Sequence, residues 1–363
     1  MARTLSPDKI LFAVTVALVL VGVVMVFSAS AVVAKEKFND PYYFLYRQSG
    51  WALIGLVAMS VMMHIDYRKY RHPVCIYGLL FVSGIFLTTL FFLDQLNNTN
   101  RWIRWGPLSF QPSELSKLAL IIFLASLLEK RLNRINDWRH TLLPCIIILG
   151  VFLALIVFEP DLGTAVSIVI VAFMLLICAG LRIKYLLYGC LTATVLGFPL
   201  IYFYQYRVQR ILTFLNPWDD PQGAGFQIIQ SLIAVGSGGL TGLGLMEGIQ
   251  KRFYLPEPHT DFIFAVIGEE WGLVGTLIVL GLFGVFLFRG VRLSLKAPDS
   301  FGWFLGIGLT MMIVCQAFIN MSVTLSLLPT KGIPLPFISS GGSSLLVSLL
   351  SVGILLNISQ HSN

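Results

Sequence analysis

Four segments of this 363-residue chain concentrate side chains suited to acid–base and phosphate chemistry. The first runs from Asn97 to Lys117 and sets Arg101 and Arg104 beside Trp102 and Trp105. Planar guanidinium groups suit phosphate recognition. The tryptophans by themselves suit an anchor at a membrane interface. Ser113 reads as a helix N-cap, with Pro112 limiting the start of that helix. Glu114 and Lys117, three residues apart, then share one helix face. Ionisable groups at the mouth of an apolar segment are costly unless they pair or face a cavity.

The second segment, Phe158 to Thr164, holds Glu159 and Asp161 on either side of Pro160. Asp161 reads as a cap for the following helix, with further roles open as a cation ligand or as partner of Lys117. The third is a stretch of about 55 residues, 207–261, containing NPWDDP and the glycine cluster Gly236 to Gly244. It lacks the GK[ST] and preceding strand of a nucleotide loop, so a re-entrant or interfacial turn is expected there. The stretch ends in YLPEPHTD, and Asp261 stands directly before an apolar run. Two readings of Asp261 are open: a helix N-cap, or a general base partly desolvated so that its pKa rises. Glu269 and Glu270 lie two turns further in, as functional or network residues. The fourth segment, Leu328 to Ser344, mixes prolines and glycines with Lys331, Ser339 and Ser343. Irregular backbone of that kind survives at membrane depth only when buried or lining a cavity. Its hydroxyls and amides, with Lys331, could bind phosphate or sugar.

The elements that must position these residues follow from composition. Hydrophobic residues make up 56% of the chain and charged residues 12%, against about 25% charged in an ordinary soluble domain. Mean hydropathy is +0.82. Together these define an all-α polytopic membrane protein. A bilayer core about 30 Å thick needs roughly 20 apolar residues per helix. Ten candidate spans are predicted: Ile10–Ala34, Gly50–Met63, Val74–Leu93, Leu115–Leu128, Thr141–Phe158, Leu162–Gly180, Tyr185–Tyr206, Phe262–Phe288, Phe301–Leu325 and Gly341–Ile358. They form a single membrane domain, with the long loop between the seventh and eighth transmembrane helices.

With both termini inside, the inner segments hold 14 of the 25 basic residues and a net charge of +9, leaving −2 elsewhere. The positive-inside rule therefore places the termini in the cytoplasm and the four segments at the outer face. The formal net charge of +7 reports topology rather than a nucleic-acid partner, which would need a basic polar domain. The five cysteines lie in apolar runs and form no disulfide or zinc pattern. No internal repeat is evident, which weakens an inverted-repeat transporter.

In order, the strings NRWIRWGPLSFQPSELSK, PDLGTA, NPWDD with GFQIIQSLIAVGSGGLTGLGL, QKRFYLPEPHTDFIFAVIGEE and LLPTKGIPLPFISSGGSS strongly resemble the SEDS family (shape, elongation, division, sporulation). They look more like its division members than its elongation members, with the sporulation members close. The resemblance implies a ten-span peptidoglycan glycosyltransferase of the bacterial cytoplasmic membrane. Such an enzyme joins lipid II at the outer face, with a class B penicillin-binding protein and other division proteins as partners at the septum. It further implies Asp261 as the catalytic acid–base residue. Glu114, Lys117 and Asp161 would be polar cavity residues, joined in substrate binding by Arg101, Arg104, Lys331, Ser339 and Ser343. A divalent cation, Mg or Mn, is expected, with its ligands unknown. The chain departs from the family pattern at Glu159, where glutamine is usual, and at Ser340, where tyrosine is usual. A lipid II flippase and a non-catalytic division scaffold are the rival readings. A flippase should place its critical residues along a path to the inner face.

Overall fold

The computed structural model describes residues 6–93, 101–105, 108–203, 205–252 and 254–362. Among the described residues twelve α-helices follow one another: α1 (Lys9–Phe38), α2 (Tyr43–His64), α3 (Pro73–Thr89), α4 (Pro112–Arg131), α5 (Leu143–Phe158), α6 (Leu162–Cys178), α7 (Ile183–Tyr202), α8 (Gln205–Leu215), α9 (Phe226–Ser237), α10 (Ile263–Leu295), α11 (Ser300–Thr324) and α12 (Gly342–His361). Between α3 and α4 lies a small antiparallel hairpin of β1 (Ile103–Trp105) and β2 (Leu108–Phe110). Each of the ten apolar segments carries a helix over most of its length, the seventh running from α7 into α8. Among the described residues, six helical stretches are long and apolar enough to cross a membrane: α1, α10, α11, α12, Pro73–Phe92 and Trp138–Phe158. The chain is therefore an all-helical, polytopic membrane protein.

α11 and α12 are the most enclosed of these six, whereas α3 and α10 leave most of their apolar surface outward. Lipid tails are as apolar as leucine, so helices associate through close packing and polar contacts rather than by the hydrophobic effect. Glycines permit that closeness. A Cβ on Gly353 of α12 would fall 2.5 Å from the Met59 carbonyl of α2. One on Gly22 of α1 would fall 2.4 Å from the Phe337 carbonyl.

The 207–261 stretch is more ordered than its composition implies. It contains α8 and α9, and α9 packs on α10 and α11. The glycine cluster after α9 fits against a break in α10 at Gly272, where φ is 65° and ψ is −159°. Opened helix backbone must find partners where water is absent, and the glycine turn supplies them. Leu243 and Gly244 N–H donate to the Glu269 and Glu270 carbonyls, and Leu273 and Val274 N–H donate to the Gly239 and Leu240 carbonyls. The approach is so close that a Cβ on Gly242 would lie 2.0 Å from the Glu270 carbonyl oxygen. The expected turn is thus a fitted backbone patch.

Glu269 and Glu270 are network residues that tie this turn down. The Glu269 carboxylate accepts from Ile249 and Gln250 N–H, and that of Glu270 accepts from Met246 N–H, Ser28 and the Lys251 ammonium. Lys251 and Glu270 are both fully enclosed. Removing one member of a buried pair strands the other charge, at a cost of about 3–5 kcal/mol. Lys251→Met should therefore lower thermal stability in detergent far more than Lys251→Met combined with Glu270→Leu. Equal losses would show that the pair does not anchor the segment.

Candidate active site

The four chemistry-bearing segments meet at one end of the bundle. The hairpin brings Arg101 in on one side and delivers Gln111 on the other, with Ile103 opposite Phe110. Arg101 donates from its guanidinium to the backbone carbonyls of Glu159 and Pro160 in the α5–α6 turn. Asp161 caps α6 by accepting from Thr164 N–H at 3.2 Å, as the sequence indicates. Its other oxygen accepts from the Thr164 hydroxyl at 2.8 Å, Gln111 Nε2 at 3.1 Å and Ser113 at 3.4 Å. Asp161 is thereby the knot joining the α4 and α6 entrances. Ser113 serves that knot rather than capping α4. Pro112 already stands in the first helical turn, so the capping position falls to Gln111.

Asp261 does not cap a helix either. Phe262 occupies the position before α10, and no side chain caps it. The irregular 329–341 segment lies against the Asp261 segment and fixes it. Asn320 Nδ2 donates at 2.8 Å to both the Asp261 and Ile333 carbonyls. Ser339 donates to the Thr260 carbonyl, and Ser340 N–H donates to that of His259. These bonds engage the backbone of the segment and leave the Asp261 carboxylate without a donor among the described residues. Burial pushes its pKa up to about 6, aided by Glu257 and opposed by Arg101 and Arg210. The carboxylate adjoins Gly332: a Cβ there would sit 3.1 Å from Asp261 Oδ2 and 3.9 Å from Arg101 Nη1.

Gly332 in turn lines a cavity of about 490 Å³, together with Arg101, Asp161, Arg207, Arg210 and Lys331. Among the described lining residues four are thus basic and one, Asp161, is acidic, and the α6 and α7 walls are apolar through Val166 and Phe198. Burial lowers the pKa of Lys331, against the pull of Asp161. The sequence reading missed Arg207 and Arg210. Their signal was present as two arginines three residues apart on α8, at a level where the positive-inside rule allows few. A second cavity of about 560 Å³ adjoins Thr260 and His259 on another side of the same segment, with aromatic walls from Tyr43, Trp51 and Trp102.

Several expected substrate contacts play other parts. Glu114 and Lys117 are buried, and Lys117 pairs with Glu114 at 2.9 Å and with Gln316 Oε1, not with Asp161. Neither lines the cavity that Asp161 lines. Gln316 passes the contact on to the Pro334 carbonyl, so the pair supports the 329–341 segment from beneath. Ser339 is engaged twice, accepting from Leu335 N–H as it donates to Thr260. Ser343 is fully buried and accepts from Gln111 N–H. The Arg104 side chain lies outside the described residues, although its backbone pairs with Ser109 in the hairpin.

The helical membrane bundle that carries this arrangement agrees with the comparisons. The family model described as "Cell cycle protein" (FtsW, RodA, SpoVE) matches residues 8–363. The chain belongs to that family. It is 46% identical over 366 residues to the "Probable peptidoglycan glycosyltransferase FtsW" of Geobacter sp. (strain M18), covering 99% of this chain and 98% of the relative. It is 44% identical to the Stage V sporulation protein E of Bacillus subtilis (strain 168), with 98% of each chain covered. In structure it resembles a chain of a peptidoglycan synthase complex that coordinates polymerization and crosslinking. That match has a TM-score of 0.79 at 32% identity, with 98% of each chain covered. The rod shape determining protein RodA of Thermus thermophilus follows at a TM-score of 0.71 and 28% identity, over 98% of this chain and 97% of that one.

Glu159 is buried with Oε1 unpartnered. Burial, reinforced by Asp161, raises its pKa to about 8 against the opposing charge of Arg101. The folded state therefore holds a proton that the unfolded chain releases near pH 4.5, so the contribution of Glu159 to stability declines as pH rises through that interval. Glu159→Gln should stabilise the protein increasingly between about pH 5 and pH 8, by up to about 1 kcal/mol per pH unit, with no further gain above. Thermal denaturation of both proteins across that range checks this. A pH-independent difference would contradict a neutral buried Glu159.

Proposed function

We propose that the chain is a peptidoglycan glycosyltransferase that polymerises lipid II at the outer face of the bacterial cytoplasmic membrane, in septal wall synthesis during division. One observation carries the reading: the Asp261 carboxylate, unpaired by any hydrogen bond among the described residues, adjoins a cavity lined by four basic side chains. In support, a close relative bears the name of a glycosyltransferase, and a structural neighbour belongs to a peptidoglycan synthase complex.

In this scheme the pyrophosphate of the polyprenyl donor lies among Arg101, Arg207, Arg210 and Lys331. Asp261 takes the proton from the acceptor GlcNAc 4-hydroxyl as that oxygen attacks MurNAc C1. The α-linked donor becomes a β-1,4 product in one inverting displacement. Pyrophosphate is a good leaving group when its charge is neutralised, so no acid is needed on that side. A pKa near 6 leaves Asp261 ionised at neutral pH, and more basic than an ordinary aspartate. The aromatic walls of the second cavity suit the sugars of the acceptor.

Among the described residues no group of three or more metal-binding side chains comes together. One Asp161 oxygen is already occupied by three donors. The residues thus do not form a ready site for the Mg or Mn ion that the resemblance implies. Such an ion would come bound to the pyrophosphate, and the scheme assigns charge neutralisation to the four cations. The proposal includes ten spans with both termini cytoplasmic, and a class B penicillin-binding protein with other division proteins as partners.

Replacing Asp261 with Asn removes the base and keeps the shape. No cap is lost, because Asp261 caps nothing. Glycan product from labelled lipid II, made by the purified chain with its transpeptidase partner, should fall by roughly 10²–10⁴-fold. Fold and complex formation should be retained. Near wild-type product would overturn the assignment of Asp261 as base, and a wild-type chain that moves lipid II between leaflets without polymerising it would favour the flippase.

A further inference from the structure

At the end of the bundle remote from Asp261, the α2–α3 turn and the last turn of α4 enclose an open concavity of about 630 Å³. Five of its six lining residues are basic: Arg68, Lys69, Arg71, His72 and Lys130, with Pro73 as the sixth. Carboxylates hold the two arginines in place, Asp299 at 3.2 Å from Arg68 and Glu129 at 3.1 Å from Arg71. Lys69 and Lys130 are exposed and have no acidic partner among the described residues.

An excess of basic residues at one end of a membrane protein is ordinary. Two features here go beyond it. The side chains border one shallow, open concavity. Directly beyond Pro73, α3 presents Val74, Tyr77 and Phe81 at spacings of three and four residues, which puts them on one face. They are 74%, 63% and 70% exposed. A polycationic pocket continued by an apolar stripe along a helix matches an amphiphile with an anionic head and hydrocarbon tails. A free phosphate would use the pocket and leave the stripe bare, as would an acidic peptide.

We propose that this concavity is a binding site for an anionic phospholipid, with its phosphate at Lys69 and Lys130 between the two fixed arginines and its acyl chains along Val74, Tyr77 and Phe81. Basic pockets between membrane helices hold anionic headgroups through the same charge complementarity. A zwitterionic lipid would add an ammonium group to a pocket already crowded with cations. The site is independent of the chemistry at Asp261.

Titration of the purified full-length chain in neutral mixed micelles with fluorescent phosphatidylglycerol tests the proposal, with phosphatidylcholine as the comparison lipid. Phosphatidylglycerol should bind in preference. Its affinity should fall about fivefold for each lysine removed at low salt in Lys69→Gln and Lys130→Gln. Lys184→Gln combined with Lys296→Gln removes the same charge from exposed positions outside the concavity, and should leave binding unchanged. Glycerol phosphate should not displace the lipid. Equal binding of the two lipids, equal loss in the control variant, displacement by glycerol phosphate, or preference for an acidic peptide would each overturn the proposal.

Discussion

The site depends on the docking of one irregular segment against another through hydrogen bonds to backbone carbonyls. Asn320 reaches from α11 and donates to the Asp261 and Ile333 carbonyls at once, joining the strand of chain before α10 to the one before α12. Ser339 and Ser340 complete the seam. A buried polar group left without a partner costs about 1–3 kcal/mol, so opening this seam is costly. It holds the Asp261 backbone while leaving its carboxylate unengaged.

Charge follows the same division of labour. Two buried ion pairs are neutralised locally: Lys117 by Glu114, and Lys251 by Glu270. These pairs carry structure. Among the described residues that line the cavity beside Asp261, four are basic and one is acidic: Asp161, whose capacity is largely used by Thr164, Gln111 and Ser113. This clustering of positive charge is where an anionic ligand gains most. The glycine turn at the break in α10 belongs to the same scheme, because it satisfies exposed backbone without adding side-chain bulk beneath the site.

Much of the fold was legible because apolar length is a strong signal, and each of the ten apolar segments carries a helix. Their ends were less legible. α2 begins at Tyr43 and α4 runs to Arg131, since charged and polar residues extend helices past the apolar stretch that marks them. α8 and α9 were not foreseen, because a short amphipathic helix looks like loop when span length is the criterion. At the site, type and position at span ends single out Asp261, Arg101, Asp161 and Lys331, which the fold brings together. Glu114, Lys117, Ser339 and Ser343 have the same credentials, yet their capacity is taken up by Gln316, Thr260, Leu335 and Gln111. Spacing along a chain does not reveal which neighbours occupy a group. Arg207 and Arg210 illustrate the converse, since only folding carries them from the long loop to the cavity wall.

The central claim is that an aspartate with a raised pKa acts as the base. Its most direct test is the pH dependence of glycan polymerisation by the purified complex at saturating lipid II. Activity should be level near pH 7 and fall tenfold per pH unit below an apparent pKa of about 6, the value that burial gives Asp261. Activity maintained down to pH 4.5 would mean that no group with this pKa accepts the proton, and would contradict the account.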